Sequence, residues 1–151
     1  MDRVRMGVIG IGSMGSAHAM QIHKGRVEGM TLTAVCDTDP LRLEWAAEEF
    51  GKETFFYTDY HDLISSGKID AVLIATPHPM HPVIAKEALQ KGLHVLTEKP
   101  EGIDADSRRG QPGGKKERMR LRDYVQPTDE SSFCRAAEAL SGGRAWRTDS
   151  F

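Results

Sequence analysis

The chain has 151 residues, which is long enough for one domain with its own core. Its formal net charge is −2, so it has no charge excess of the kind that binds nucleic acid or an acidic membrane. Its two cysteines, Cys36 and Cys134, exclude a disulfide framework and predict reduced thiols in a cytoplasmic protein. No apolar stretch reaches the roughly 18 residues of a membrane span, so we expect neither a signal peptide nor contact with a membrane.

Short apolar runs alternate with helical patterns over the first two-thirds of the chain. The strand-like runs cover residues 4–9, 32–36, 71–75 and 94–97, and the helical patterns fall near residues 14–24, 41–50, 60–65 and 80–91. Pro40 suits the first turn of the second helix, while Gly51 and Gly92 suit helix ends. This alternation predicts an α/β fold with a doubly wound parallel sheet, Rossmann-like, whose ligand lies at the carboxyl ends of the strands.

A glycine-rich segment follows the first strand run directly. Gly10 permits a tight turn, Gly12 lets the backbone approach a pyrophosphate, and Gly15 lets the next helix pack close to the strand. The N-terminal amides of that helix then face the phosphate charge. We therefore predict that a dinucleotide binds at the whole segment, which comprises Gly10, Ile11, Gly12, Ser13, Met14 and Gly15.

Asp37 ends the second strand run, 22 residues beyond the last of those glycines. A carboxylate at this point can accept hydrogen bonds from the 2′- and 3′-hydroxyls of a ribose. The acid makes the glycine pattern far more specific than a glycine triplet alone. The competing interpretation is a solvated strand end or a helix cap.

Two later segments end strands on the same edge of the predicted sheet. The first runs from Ala75 through Thr76 and Pro77 to His78, with His81 a few residues on, and the second is Glu98-Lys99-Pro100. A lysine beside a bound nicotinamide can donate or accept a proton, or hold a substrate oxygen. The competing interpretations are an exposed loop histidine for His78, an ordinary first helical residue for His81, and a structural or surface side chain for Lys99.

The other histidines of this region show no pattern that predicts chemistry. No spacing among them and the acids predicts a metal site. We interpret them as surface or packing residues: His18, His23, His61 and His94.

Together these motifs resemble the N-terminal domain of the Gfo/Idh/MocA oxidoreductases, over about residues 3–107. The resemblance implies NAD(P) binding and hydride transfer at a sugar-like hydroxyl or carbonyl carbon. By motif position it implies that Lys99 is the lysine near the substrate and that Asp37 binds the adenosine ribose, favouring NAD over NADP because a 2′-phosphate would be repelled by the carboxylate. The implied cofactor contacts are residues 10–15, Asp37, Ala75, Thr76, Pro77, His78, His81 and Glu98, although the position of His78 is often an asparagine in the family.

The composition changes after residue 107. Residues 1–107 hold 10 Lys and Arg against 16 Asp and Glu, whereas residues 108–151 hold 10 against 6, with no isoleucine and one valine. We expect no further central strand there, a short helix near residues 133–140 at most, and otherwise a disordered or irregular tail. A nucleic-acid-binding arm is the alternative, but interleaved aromatic residues are lacking.

The tail is interpreted as the product of a shifted reading frame. Codons permitted for residues 123–134 and 144–148, read one nucleotide later, encode an Asn-Gln-Arg-Thr-Asn-Pro segment and later a Glu-Leu-Gly-Glu segment, in order. Both are similar to the opening of the family's second domain, which supplies the substrate pocket, a further acid/base histidine and usually the oligomer interface. We therefore expect a truncated relative of the family, through a real frameshift or a sequencing error.

We expect residues 1–107 to form the dinucleotide-binding domain of an oxidoreductase that acts on a sugar- or polyol-like substrate, with little turnover from this chain alone. Two alternatives remain open. A stand-alone nucleotide-binding module would bind NAD without chemistry, and a non-functional gene fragment would bind nothing.

Overall fold

The computed structural model describes residues 3–98 and the backbone of a short strand at residues 121–124. Strands and helices alternate along the chain, and a single 3₁₀ turn (His78–Met80) precedes the last helix. The elements in order are β1 (Val4–Ile9), α1 (Ser13–His23), β2 (Met30–Cys36), α2 (Pro40–Phe50), β3 (Phe55–Tyr57), α3 (Tyr60–Ser65), β4 (Ala71–Ile74), α4 (His81–Gln90), β5 (His94–Glu98) and β6 (Leu121–Tyr124).

The strands form one parallel sheet in the order β3-β2-β1-β4-β5-β6. This order reverses direction between β1 and β4, which lie side by side although β2 and β3 separate them in sequence. A crevice at the carboxyl ends of the strands is expected at such a reversal, and it is where this class of sheet binds its ligands. The predicted fold class, a doubly wound Rossmann-like sheet, is confirmed.

Both faces of the sheet are covered by helices. Residues of α1 and α2, such as Ile22 and Phe50, pack with Met6 on one face, and residues of α3 and α4, such as Leu63 and Ile84, pack on the other. All four residues of β4 are fully buried because this central strand has a helical layer on either side. That double burial explains why its sequence is apolar without alternation.

Capping side chains fix the residues at which α2 and α3 begin. Asp39 caps α2 by accepting a hydrogen bond from Leu41 N at 2.9 Å, Pro40 occupies the first helical position, and Gly51 follows the last. Asp59 caps α3 in the same way. Neither these helices nor the others in the described part of the chain are long and apolar enough to cross a membrane.

The elements predicted within residues 4–97 are all present, with bounds that differ by at most two residues, but three elements were missed. β3 has only three residues, too few for a periodic signal, and forms because β2 offers it a backbone partner. The 3₁₀ turn before α4 was not predicted either. β6 lies in the stretch that we expected to be irregular and pairs with β5 at the edge of the sheet, where only one neighbour is needed. The helix predicted near residues 133–140 lies outside the described residues.

Candidate dinucleotide-binding site

The turn after β1 is held between two neighbouring strands. Gly10 N donates to Cys36 O at 2.8 Å, and Ala75 N donates to Ile9 O at 2.8 Å. Gly10 has a φ of +86°, and a Cβ atom there would stand 2.9 Å from the carbonyl carbon and oxygen of Ala75. Only glycine fits this position, both for its conformation and for its close contact with the loop after β4.

The other two glycines of the turn meet opposite surroundings. A Cβ atom on Gly15 would lie 1.7 Å from the carbonyl oxygen of Gly10, so the absence of a side chain is what lets α1 pack against the turn. A Cβ atom on Gly12 would meet nothing closer than Arg42 Nη1 at 3.7 Å. Gly15 is therefore required by packing, whereas Gly12 leaves space open.

The N-terminus of α1 faces that space. Gly12 is its N-cap residue, no side chain caps the helix, and no acidic residue lies in its first turn. Amides at a helix N-terminus carry partial positive charge and favour an anion such as a phosphate group. Gly12, Ser13 and Met14 all line the cavity in front of it.

Asp37 reaches back from the end of β2 to the glycine turn. Asp37 is only 7% exposed. Its Oδ2 accepts from Ile11 N at 2.9 Å, and its Oδ1 accepts from Asp39 N at 2.9 Å. The carboxylate therefore neither ends a strand in solvent nor caps α2, which is the role of Asp39. Because a carboxylate accepts about four hydrogen bonds, Asp37 keeps capacity for a ligand.

Arg42 is a site residue that the sequence analysis missed. It lies in the first turn of α2, with Nη1 3.4 Å from Asp37 Oδ2 and Nε 3.7 Å from Asp39 Oδ2, and its side chain is half exposed. Its guanidinium is also the nearest group that a Cβ atom on Gly12 would meet outside the turn and α1. The only signal in the sequence is an arginine five residues after the acid, which is common on any amphipathic helix.

The loop after β4 forms the opposite wall. Ala75, Thr76 and Pro77 line the cavity, and the buried His81 anchors the loop through a hydrogen bond between its Nε2 and Thr76 O. His78 lies in the 3₁₀ turn, and nothing is described of its side chain. The backbone of Glu98 ends β5, again without a described side chain, and Lys99 lies outside the described residues.

These segments enclose one cavity of about 990 Å³ at the carboxyl ends of β1, β2, β3 and β4. The first turn of α3 adds Tyr60 and His61 to its lining, although we had interpreted His61 only as a surface or packing residue. Met14 and Met80, 39% and 43% exposed, also line it. The cavity is thus lined by the glycine turn, the acid, the arginine and the loop after β4.

Cys36 lines the same cavity without being poised for chemistry. Burial, reinforced by the negative charge of Asp37, raises the pKa of its thiol to about 12. Over the residues that the structure describes, no three His, Cys, Asp or Glu side chains converge on a position that could hold a metal ion.

The strand order, the three glycines of the turn and the acid after β2 define a dinucleotide-binding Rossmann domain. Residues 4–107 match the profile of the Gfo/Idh/MocA oxidoreductases, which is described as an oxidoreductase family with an NAD-binding Rossmann fold. The chain belongs to this family.

Several known proteins are similar to the chain over this domain. An inositol 2-dehydrogenase from Rubrobacter xylanophilus is 43% identical over 108 residues, which cover 72% of this chain and 30% of that protein. A glycosyl hydrolase family 109 protein from a Shewanella species is 41% identical, over 66% of this chain and 23% of its own length. The crystal structure of scyllo-inositol dehydrogenase from Lactobacillus casei with bound NAD(H) and scyllo-inositol matches with a TM-score of 0.64 at 32% identity, over 70% of this chain and 31% of that one. The chain therefore spans under a third of the length of these relatives.

Proposed function

We propose that residues 1–107 bind NAD(H) in the cavity at the carboxyl ends of the strands and act as the cofactor domain of an oxidoreductase that transfers hydride to or from a sugar- or polyol-like substrate. The observation that carries the proposal is that one cavity joins the uncapped N-terminus of α1, the open space at Gly12 and the carboxylate of Asp37. The similarity to an inositol 2-dehydrogenase and to a dehydrogenase with bound NAD(H) and scyllo-inositol supports a polyol as the substrate class.

The lining of the cavity suggests how the cofactor lies. The pyrophosphate would rest on the segment from Gly10 to Gly15, because that is where the backbone is bare and the helix amides point outward. The adenosine ribose would meet Asp37. The nicotinamide half would then extend past Ala75, Thr76 and Pro77 toward His78, His81 and Glu98.

The charges around the ribose position favour NAD over NADP. Asp37 and Asp39 both present carboxylates there, and Arg42, a cation that the described residues place beside them, is already shared between the two. A 2′-phosphate would add negative charge beside two acids and one arginine, whereas a 2′-hydroxyl can donate a hydrogen bond to Asp37. We therefore expect the domain to bind NADH more tightly than NADPH.

Lys99 is the residue that we propose for the chemistry. In the sequence it directly follows β5, whose carboxyl end lies at the same edge of the sheet as the cofactor cavity, and the resemblance to the family implies that it is the lysine near the substrate. The bound nicotinamide would supply or accept the hydride, and Lys99 would hold the substrate oxygen and exchange its proton.

We also propose that residue 107 is the boundary of the family domain and that residues 108–151 are out of frame. The family profile stops at residue 107, and the sign of the net charge changes at the same point. Nucleotide sequencing around codon 107 tests this directly. A one-nucleotide shift that restores the two family-like segments supports it, and a gene that encodes no such segments in that frame overturns it.

Titration of the purified protein with NADH, followed by the fluorescence of NADH, tests the binding proposal. We expect saturable binding, weaker binding of NADPH, and little oxidation of inositols when NAD is supplied. The proposal fails if NADH does not bind to folded protein, as a non-functional fragment predicts. Binding by a chain that gives no reaction even when its out-of-frame segment is corrected would instead indicate a stand-alone nucleotide-binding module.

A further inference from the structure

The loop after β3 and the first turn of α3 form a part of the cavity that contains neither the glycine turn nor Asp37. The loop contributes Thr58 and Asp59 to the lining, and α3 contributes Tyr60 and His61. Asp59 Oδ1 accepts a hydrogen bond from His61 N at 2.9 Å, which fixes the backbone of His61 at the start of α3. The side chain of His61 is thus carried on a defined turn at the mouth of the cavity.

Two neighbours orient the imidazole ring of His61. The ring of Tyr60 lies against it, with ring centroids 4.1 Å apart and planes inclined by 33°. Its Nδ1 lies 2.7 Å from the carboxylate of Glu87 on α4. Tyr60 itself packs against the core beneath α3 and α4. The ring is therefore supported from behind and tethered at one nitrogen, while 54% of the side chain stays exposed.

The order of the strands places this ring beyond the ribose acid. β3 is the outer neighbour of β2, and Asp37 N donates to Tyr57 O at 3.2 Å. The glycine turn follows β1 and the loop from Ala75 follows β4, both on the other side of β2. A dinucleotide with its pyrophosphate at β1 and a ribose at Asp37 would therefore direct its purine toward β3.

We propose that His61, supported by Tyr60 and held by Glu87, is the stacking platform for the adenine base of the bound dinucleotide. This inference rests on the proposed function, because it assumes that the dinucleotide binds in this cavity. A supported flat ring with one open side is the kind of surface on which bases stack, and such stacking requires no hydrogen bond to the base.

The charge of His61 would tune this contact. The hydrogen bond to Glu87 raises the pKa of His61, and the negative charges of Glu87, Asp59 and Asp62 act in the same direction. Among the described residues these are the charged groups that act on the ring, from α4 and from the start of α3. A protonated imidazole over a base adds a cation–π attraction. That attraction is fully present below the ordinary pKa of histidine and is lost as the pH rises through the raised value.

The test compares the affinity for ADP-ribose, which is the cofactor without its nicotinamide base, in three forms of the full chain by isothermal titration calorimetry. We expect His61→Ala to bind ADP-ribose about tenfold more weakly than wild type. His94→Ala removes another exposed histidine, which lines a separate cavity at the amino end of β5, and should bind as wild type does. Unchanged affinity in His61→Ala overturns the inference, whereas failure of the wild type to bind ADP-ribose overturns the proposed function itself.

Two further variants separate stacking from a merely structural role. His61→Phe keeps a flat ring without a titrating group, so it should retain binding and lose the decrease in affinity with rising pH. Glu87→Gln should move that decrease to lower pH, because the carboxylate that raises the pKa of His61 is gone. If His61→Ala lowers the melting temperature, its weaker binding could reflect unfolding, and the test then rests on His61→Phe. Weak binding of ADP-ribose by folded His61→Phe protein, or an affinity that depends on pH as in wild type, contradicts the proposal.

Discussion

The two ends of the sheet use polar groups in opposite ways. At the amino end, the guanidinium of Arg5 forms a bidentate ion pair with Asp70, with Nη2 2.8 Å from Oδ1 and Nε 3.1 Å from Oδ2. Arg5 N also donates to Oδ2 at 2.9 Å. At the carboxyl end, the first amides of α1 have no side-chain cap, and Asp37, although it accepts from Ile11 N and Asp39 N, still lines a large cavity. Polar groups whose hydrogen-bonding capacity is used up within the protein contribute to stability, whereas groups with capacity left over remain available to a ligand.

The largest effect is expected at Gly15, which belongs to the carboxyl end but has a packing role. In Gly15→Ala the new methyl group would lie 1.7 Å from the carbonyl oxygen of Gly10, so α1 must move away from the turn. We expect a loss of about 3 kcal/mol of the free energy of unfolding, measured by urea denaturation. Wild-type stability in this variant would show that the turn is looser than described.

Gly12 provides the matched comparison within the same turn. Its φ is −68° and a Cβ atom there would meet nothing closer than 3.7 Å, so Gly12→Val should fold, with a loss of about 1 kcal/mol because valine is a poor N-cap residue. The valine would fill the space proposed for the pyrophosphate, and we expect the affinity for NADH to fall about a hundredfold. NADH titration of this variant beside wild type measures the effect, and retained affinity would place the pyrophosphate elsewhere.

Asp37 has both a structural and a proposed binding role, and Asp37→Asn separates them. The amide oxygen can still accept from Ile11 N, but the amide nitrogen cannot accept from Asp39 N, so we expect a loss of about 1 kcal/mol of stability together with the loss of the negative charge. With Arg42 no longer paired with Asp37, we expect the ratio of NADPH affinity to NADH affinity to rise about tenfold. A ratio equal to that of wild type would contradict the role of this carboxylate in cofactor choice.

At the amino end, Asp70→Asn should alter stability and leave binding untouched. The hydrogen bond from Arg5 lowers the pKa of Asp70, so its contribution is present above the ordinary carboxyl pKa and is lost as the pH falls through the lowered value. Because both side chains are more than a third exposed, we expect less than about 1 kcal/mol at pH 7. Urea denaturation of wild type and variant should agree in acid and differ at pH 7. A change in NADH affinity would show that the two ends are coupled.

The smallest effect is expected at Cys36. Since burial raises the pKa of this thiol to about 12, it stays protonated at pH 8 and should resist iodoacetamide in the folded protein. Peptide mapping by mass spectrometry distinguishes it from Cys134, and unfolded protein serves as the reactive control. Rapid alkylation of Cys36 in folded protein would show that the end of β2 opens readily.

The accuracy of the sequence predictions depended on how local each signal is. The apolar run of β4 and the positions of Pro40 and Gly51 at the two ends of α2 are signals that act within a few residues, and they were interpreted correctly. β3 could not be found in this way, because three residues become a strand only when β2 supplies hydrogen-bond partners. Arg42 was missed for a related reason, since its proximity to Gly12 depends on how α2 lies against the first turn.

The same difference between local signals and long-range contacts applies to the residues of the site. Gly10 was recognisable because a left-handed turn after a strand demands a residue without a side chain. Asp37 was placed at the correct edge of the sheet, yet its hydrogen bond to Ile11 joins residues that are 26 positions apart and no spacing rule reveals it. His61 was interpreted as a surface or packing residue and is indeed exposed, but its contact with Glu87 could not be predicted, because it forms only when α3 and α4 pack together.

The alternation of strands and helices, the glycine turn and the acid after β2 could all be read from the amino-acid sequence. Backbone conformation and burial each require particular residue types at regular or fixed positions, so these features are visible in the chain itself. Only the tertiary structure decided which groups share the cavity: Asp37 with Ile11 and Arg42, and His61 between Tyr60 and Glu87. The physical reason is that these contacts depend on the order of strands in the sheet and on the packing of helices across it, and neither is encoded in any short stretch of residues.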